Sequence, residues 1–442
     1  MDDLLFPCSP STEGMRGSDP DPAAPRVLRP NRAQLELRPA DLDGLLPAEH
    51  RARLVWDFVT GSDLGAFYAQ IKAVESHAGR PAIDPAILMT LWLYATLDAV
   101  GSARARARLC DEHDAYRWIC GGVAVNYHTL ADFRVAHAER LDDVLTTSVA
   151  TLMAEGLVSL QRVAQDGVRV RAHAGSGSFR RAARLKALLA QATAQVQALK
   201  QELHDDPAAT ARRTAAARQR AAAARQARVA RALARLPGVA ERRRKARVEG
   251  PPRVSTTDPD AQVMKMADGG FRPAFNSQFS TATDSQIIVG VAVGNHGTDL
   301  GQLKPMVDQL WRRYGRRPAQ LLVDGGYVAL DDLRALAPPG LGCEIYAPPK
   351  TPRGHARPAD RRARERDVTA AWRARMATPA AQEVYRQRAA TAECVNALAR
   401  NRGLRQFAVR GLRKVQASLL WFALAHNVLR AVTLRQRAIA TA

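Results

Sequence analysis

Apolar residues recur at helical spacing through the first third of the chain. Val55 and Val59 belong to one apolar face, and a longer stripe follows Asp84-Pro85, a typical helix start. Ser102 is placed to cap a further helix, and Thr129 to cap another after a double-glycine turn. These two basic helices fit a helix-turn-helix and a plain helical bundle equally well, because spacing alone does not separate the two.

The pattern changes to alternation over residues 162–173. Val168 and Val170 share one parity with Asp166, while arginines take the other, which predicts a strand. Further strands are predicted over 275–281, 287–293, 320–324 and 343–346, and helices over 303–314, 330–336, 385–400 and 412–437. An antiparallel hairpin followed by parallel strands with crossover helices makes a mixed α/β sheet the predicted fold.

A helical insert, residues 180–247, interrupts the strand pattern. Its first arm has a heptad seam from Leu185 to Leu203, and Asp205-Asp206-Pro207 breaks that arm. The second arm offers mainly alanine and arginine and is predicted to end near Pro237-Gly238. We expect a helical hairpin that projects from the sheet, with a basic arm that contacts a DNA backbone or a partner protomer. An ordinary solvated face is the alternative.

Three carboxylates are the candidates for catalysis. Asp166 and Asp324 each lie in an apolar strand and are followed by glycine, and Glu393 shares a helix face with Arg400. An ordinary charge pair on a solvated helix is the alternative for Glu393. Two strand aspartates and one helix glutamate are typical of two-metal phosphoryl transfer, with Asp166 bridging both ions. The glycines would let a DNA backbone approach closely.

Charge strengthens the expectation of a nucleic-acid partner. Lys and Arg number 65 against 43 Asp and Glu, a net charge of +22 with a pI near 10.7. The candidates for contact with DNA are Arg104, Arg106, Arg108 and Arg134 in the helical segment, Arg218, Arg225 and Arg228 in the insert, and Tyr385, Arg388 and Arg400 around Glu393.

The sequence predicts neither a membrane-spanning helix nor a zinc site. The longest mostly apolar run, Ala417 to Ala425, is far short of the ~20 residues of a spanning helix, and the N-terminus lacks the basic start of a signal peptide. Five cysteines without a CxxC spacing favour a reducing cytoplasm and argue against bound zinc.

At its motifs the sequence resembles insertion-sequence transposases of the DDE class. Residues 79–134 are similar to the helical N-terminal domain of that family, Asp166-Gly167 to its first-aspartate motif, and 323–327 to its second. The family pattern around the glutamate is tyrosine, two residues, arginine, three residues, glutamate, six residues, lysine. Here four residues separate Arg388 from Glu393, and Arg400 stands in place of the lysine. Further similarity covers residues 257–261, 275–278, 412–415 and 425–427.

The resemblance implies an RNase H-like catalytic core of bacterial origin that cuts the ends of an insertion sequence and joins them to target DNA. The implied organisation is a lead-in at 1–29 that we expect to be disordered, a helical, DNA-binding domain at 30–156, and a catalytic domain at 157–442 interrupted by the insert. Asp166, Asp324 and Glu393 would hold Mg²⁺, with Mn²⁺ expected to substitute. Double-stranded DNA is the expected partner, with a homodimer on DNA, in the cytoplasm at the nucleoid.

Two other functions remain open at this point. A DNA-binding regulator descended from a transposase would share the basic charge, but it would have no need of the three carboxylates. A plain nuclease or an RNA-binding protein fits the charge but not the resemblance.

Overall fold

The computed structural model describes residues 41–73, 81–205, 212–245, 247–337, 341–349 and 369–441. The chain divides into two compact units, Met1–Asp41 and Leu42–Ala442. The predicted lead-in, residues 1–29, lies outside the described residues. Every helix and strand of the described chain belongs to the second unit.

Helices form the regular structure of the described residues between Leu42 and Gly156, with no strand among them. After a short 3₁₀ turn, Asp43–Leu45, the helices are α1 (Arg51–Thr60), α2 (Gly65–Tyr68), α3 (Pro85–Leu97), α4 (Ala103–Glu112), α5 (Asp114–Cys120), α6 (Tyr127–Ala136) and α7 (Ala138–Ala154). All of α3 is buried except Thr96, so it is the central helix of this segment.

Local capping chemistry sets the helix starts. Asp84 caps α3 and Ser102 caps α4 through side-chain oxygens that accept backbone N–H groups, as predicted. The predicted cap at Thr129 is wrong. Asn126 caps α6 instead, and its Oδ1 accepts the Thr129 amide at 2.9 Å, because asparagine is the stronger capping residue.

The strands form one six-stranded mixed sheet and one small ribbon. They are β1 (Arg162–Arg171), β2 (Phe179–Arg180), β3 (Val254–Ser255), β4 (Gln262–Lys265), β5 (Phe271–Ala282), β6 (Ile288–Gly294), β7 (Gln320–Leu322) and β8 (Glu344–Tyr346). In the large sheet β1 is central, antiparallel to β5 and parallel to β7, and β7 is parallel to β8. Both β4 and β6 pair with β5, while β2 and β3 form the ribbon. The predicted mixed α/β sheet is confirmed.

The remaining helices follow or connect these strands. They are α8 (Ala182–Asp205), α9 (Arg212–Lys245), α10 (Leu303–Tyr314), α11 (Leu330–Leu336), α12 (residues 369–376), α13 (Pro379–Arg388), α14 (Cys394–Asn401) and α15 (Leu412–Thr441). The predicted bounds of α10 and α11 are confirmed.

Helix α15 packs along the edge strand β6 and against α3 and α7. Asn427 accepts the Ile288 amide at 2.9 Å and donates to the Ile288 carbonyl at 2.8 Å. His426 meets the Gln286 carbonyl at 2.9 Å. These side chains satisfy backbone groups that an edge strand would leave open. Residues 412–440 are long and apolar enough to cross a membrane by composition alone, and 67% of the apolar window is buried inside the protein.

The insert forms a hairpin of α8 packed on α9 with a small core of its own. Leu185 of α8 meets Val229 and Leu236 of α9 in that core. The predicted end at Pro237 is wrong, because α9 continues to Lys245. A proline weakens a helix but does not end one whose neighbouring turns are held by packing. The second arm therefore has an apolar seam as well as arginines.

Candidate active site

Asp166 lies in β1, and Asp324 lies two residues beyond the end of β7, the parallel neighbour of β1. β1 and β7 pair with Ala164 opposite Leu322. Continuing this register by two residues brings Asp166 opposite Asp324, on the same face as the last pair. The strand predicted over 320–324 ends at Leu322, so Asp324 follows Val323 at the edge where ligands of parallel strands collect. The two aspartates therefore face one region of space.

A π turn carries Glu393 towards these strands. Residues Ala389–Glu393 connect α13 to α14 with π geometry, in which hydrogen bonds run from i to i+5 and each turn is wider than in an α-helix. This turn packs against β1 and β5. The wider turn accommodates the extra residue between Arg388 and Glu393, so that Nη1 of Arg388 reaches Oε1 of Glu393 at 3.1 Å. The predicted helix over 385–400 is confirmed, and the π turn lies within it.

The guanidinium of Arg388 connects the strand aspartate to the helix glutamate. Its Nη2 lies 3.1 Å from Oδ2 of Asp166, and the two side chains are only 13% and 18% exposed. Glu393 is 60% exposed. Burial alone would lower the pKa of Arg388, but the neighbouring acidic groups, led by Asp166, raise it. Those neighbours include Tyr385 and Asp324, so the groups predicted around the site share one electrostatic environment.

Asp166 is a largely buried carboxylate with charged groups around it. Burial raises its pKa, and Asp299 and Asp324 raise it further, while Arg388 and the Gly167 amide oppose them. That amide donates to Oδ1 at 2.9 Å. The ion pair favours the charged form of both partners, but at Asp166 the loss of water outweighs the pair. A cation bound near Asp166 would therefore stabilise its charged form.

Two groups of this centre were not predicted from the pattern. Asn396 of α14 donates to Oδ2 of Asp166 at 3.0 Å. Asp299 accepts from Asn276 at 2.6 Å and from Gln278 at 2.7 Å beside β1. The position of Asn396 three residues after Glu393 was a signal available in the sequence, whereas Asp299 lies in a loop and only the fold brings it here.

The predicted role of the two glycines is wrong. A Cβ on Gly167 would lie 2.5 Å from the Gln278 amide nitrogen and 2.6 Å from Asp299 Oδ1, and one on Gly325 would lie 2.8 Å from the Pro348 carbonyl oxygen. Both glycines therefore make room for side chains and backbone of the protein itself. Neither opens a path for a DNA backbone.

The carboxylates of this centre are suitable ligands for a hard divalent cation. In the structure, Arg388 provides their positive counter-charge. Carboxylate oxygens are the ligands that Mg²⁺ and Mn²⁺ prefer. Within the described residues, no three His, Cys, Asp or Glu side chains are close enough to hold a metal together. The ion pair of Arg388 with both Asp166 and Glu393 accounts for this, since a guanidinium occupies the space between them.

Some arginines of the basic helices in the first segment are exposed, and others are buried. Arg104 and Arg108 are exposed, the first over the Tyr127 ring at 5.1 Å and the second paired with Glu112 at 3.2 Å. The predicted DNA contact of Arg106 is wrong, because this side chain is 2% exposed and its guanidinium stacks 3.2 Å from the Trp92 ring. Because arginines occupy every second position at the start of α4, they point in different directions, and one of them faces the core.

Arg134 is half-buried, with Nη1 donating to the Gly101 carbonyl at 3.3 Å. Arg400 is exposed. Tyr385 is half-buried, and burial raises its pKa.

The hairpin arginines chosen from the sequence have partners within the hairpin or are partly covered. Arg218 pairs with Glu202 at 3.7 Å and Arg225 donates to Gln195 at 3.5 Å. Arg228 is half-buried, and burial lowers its pKa. Arg220 and Arg231 are exposed on the same helix, so α9 offers other arginines for contact with a polyanion.

Comparison with known families identifies two parts of the chain. A family described as a transposase domain (DUF772) matches residues 40–136, and one described as a transposase DDE domain matches residues 350–432. The second range includes Arg388, Glu393 and Asn396, whereas Asp166 and Asp324 lie outside both ranges. No curated protein and no solved structure gives a significant match. These two matches support an insertion-sequence transposase of the DDE class.

Proposed function

We propose that the protein binds the ends of its insertion sequence, cleaves them and joins them to target DNA by metal-dependent phosphoryl transfer. The observation that carries this proposal is that Arg388 pairs with both Asp166 and Glu393, while Asp324 follows the strand that is parallel to β1. The two transposase domain matches, which precede β1 and follow β8 along the sequence, support the same activity.

In this proposal Asp166, Asp324 and Glu393 hold the divalent metal, Mg²⁺ in the cell and Mn²⁺ as a substitute. When bound, the metal neutralises charge on the transferring phosphate and makes the attacking hydroxyl or water a better nucleophile. Asn396 fixes the orientation of Asp166 through Oδ2. Before the metal binds, Arg388 holds Glu393 towards the strands. Arg400, which is exposed, contacts a phosphate near the cut.

The strand order supports an RNase H-like assignment of the sheet. Three antiparallel strands, β6, β5 and β1, are followed in space by the parallel β7 and β8. The first aspartate then lies on the central strand and the second at the end of its parallel neighbour. We propose that the exposed Arg104 and Arg108, together with α9, contact double-stranded DNA, and that the protein acts on it as a homodimer at the bacterial nucleoid.

Cleavage of the native ends tests this proposal. The DNA flanking the gene supplies the terminal sequences, and the purified chain is incubated with them and Mg²⁺ or Mn²⁺. Asp166→Asn and Glu393→Gln should abolish end cleavage yet retain binding in a gel-shift assay. Asp331→Asn, at a carboxylate that is 96% exposed, should cleave like the unmodified protein.

Two outcomes would count against the proposal. Binding of the ends without cleavage by the unmodified protein would favour the DNA-binding regulator. Unchanged cleavage by Asp166→Asn would show that the chemistry lies elsewhere.

A further inference from the structure

A small cavity lies where the first helical segment meets the C-terminal helices. Its volume is about 80 Å³, and Trp92 and Trp421 form part of its wall, with ring centroids 6.0 Å apart. Three arginines line it, Arg106, Arg134 and Arg402. None of the described residues that line it is an aspartate or glutamate. The cavity is therefore positively charged without an internal counter-ion.

Each of these arginines has a buried N–H group without a hydrogen-bond partner among the described residues. The groups are Nη1 of Arg106, Nε of Arg134 and Nη1 of Arg402. Arg106 is 2% exposed, and its other two nitrogens both donate to the Val100 carbonyl. Burial lowers the pKa of all three side chains, yet a guanidinium stays charged in proteins. One buried and two half-buried guanidinium groups, each with a buried donor that lacks a partner, favour binding of an anion.

We propose that this cavity binds a tetrahedral oxyanion of the phosphate class, held by the free N–H groups of Arg106, Arg134 and Arg402. Guanidinium forks match the oxygens of such an anion, and charge-assisted hydrogen bonds are the strong ones. On the same measure a single water molecule needs about 10–15 Å³, so a cavity of about 80 Å³ has room for one phosphate group. The phosphate is either free in solution or a phosphate of a DNA strand.

The position of the cavity gives the anion a structural consequence. Arg402 directly follows α14, whose first turn carries Asn396 close to Asp166. Eight helical residues span about 12 Å. An anion bound at Arg402 would therefore hold the far end of the helix that positions Glu393 and Asn396. This inference does not depend on the proposed cleavage reaction.

Phosphate binding by the full-length protein tests the proposal directly. Thermal unfolding is followed in sodium phosphate and in sodium chloride at equal ionic strength, and ³¹P NMR measures phosphate binding independently. A site filled at a hundred times its Kd should raise Tm by several degrees. Arg402→Gln should lose this increment, and Arg134→Gln is a second variant in case the first does not fold. Arg405→Gln, three residues away and exposed, is the matched control and should keep it.

Phosphate also stabilises proteins by exclusion from their surface, but that effect is shared by all variants. Hence an increment that persists in both cavity variants, or the absence of ³¹P line broadening with the unmodified protein, would overturn the proposal. A short DNA duplex then separates the two sources. If saturating duplex removes the phosphate increment, the anion is a phosphate of DNA, and if the two effects add, it is free phosphate.

Discussion

Replacement of Arg388 by glutamine tests whether this guanidinium stands in for a metal. In the folded protein it lies 3.1 Å from Asp166 and 3.1 Å from Glu393. The Glu393 pair is worth little, because that carboxylate is 60% exposed. Removing one partner of a buried pair costs about 3–5 kcal/mol. Since Asp166 keeps 18% exposure, we expect a cost towards the lower end of this range, and a loss of at least several degrees in Tm.

Divalent metal should reverse part of this loss. A unit charge and a divalent ion roughly 5 Å apart repel by about 1.7 kcal/mol even in a water-like dielectric, which is more than tenfold in affinity. Arg388→Gln should therefore bind Mn²⁺ at least about ten times more tightly than the unmodified chain. Isothermal titration calorimetry gives the affinity, and the increase of Tm with MnCl₂ gives an independent check.

The decrease of Mn²⁺ affinity at acidic pH provides the control. Arg388 opposes the raised pKa of Asp166, so its removal should raise that pKa further. Protons then compete with the metal at higher pH, and binding in Arg388→Gln should weaken earlier on acidification. The double variant with Asp166→Asn should lose both effects. An Mn²⁺ affinity that is unchanged or weaker in Arg388→Gln would refute the assignment of these carboxylates as metal ligands.

Three further predictions concern other parts of the chain. Burial lowers the pKa of His426 to about 4, so its stabilising neutral state is fully kept above pH 6.5 and is lost as pH falls towards 4. The loss of about 3 kcal/mol in unfolding free energy over that window should disappear in His426→Gln, and an unchanged pH slope would contradict it. Replacing Arg220 and Arg231 together by glutamine should flatten the slope of log DNA affinity against log salt by roughly two units, and no change would make the hairpin structural only. Deleting Ala390 within the π turn should leave Tm nearly unchanged, whereas deleting Ala397 within α14 should lower it strongly, because only the second deletion rotates a regular helix by ~100°. Equal losses of Tm would count against that reading of the turn.

The elements that follow local rules were predictable from the sequence. The caps at Asp84 and Ser102, the alternation of β1 and the apolar run that ends at Asp324 depend on neighbouring residues alone. Such signals need no knowledge of the rest of the fold. The placement of Asp166 on a strand and of Glu393 in a helical segment therefore came from pattern.

The errors come from positions where tertiary packing decides. Arginine composition predicts exposure, yet Arg106 is buried against Trp92. Helix α9 continues through Pro237, where packing outweighs the loss of the hydrogen bond that proline, which has no N–H, does not donate. Asp299 enters the candidate site from a loop that shows no periodicity. These features require long-range contacts, which a single sequence does not display.

The π turn explains how a departure from the family spacing leaves the candidate site intact. In a regular α-helix, residues five apart point in different directions, so an extra residue before Glu393 would have rotated it away from Arg388. The π turn absorbs that residue within Ala389–Glu393. The flanking helices keep their faces, with Ala381 of α13 and Val395 of α14 both buried, while Arg388 still bonds to Glu393. The spacing of charged residues in the sequence is therefore a poor measure of their distance here. The backbone geometry between them brings Glu393 within 3.1 Å of Arg388, which also pairs with Asp166.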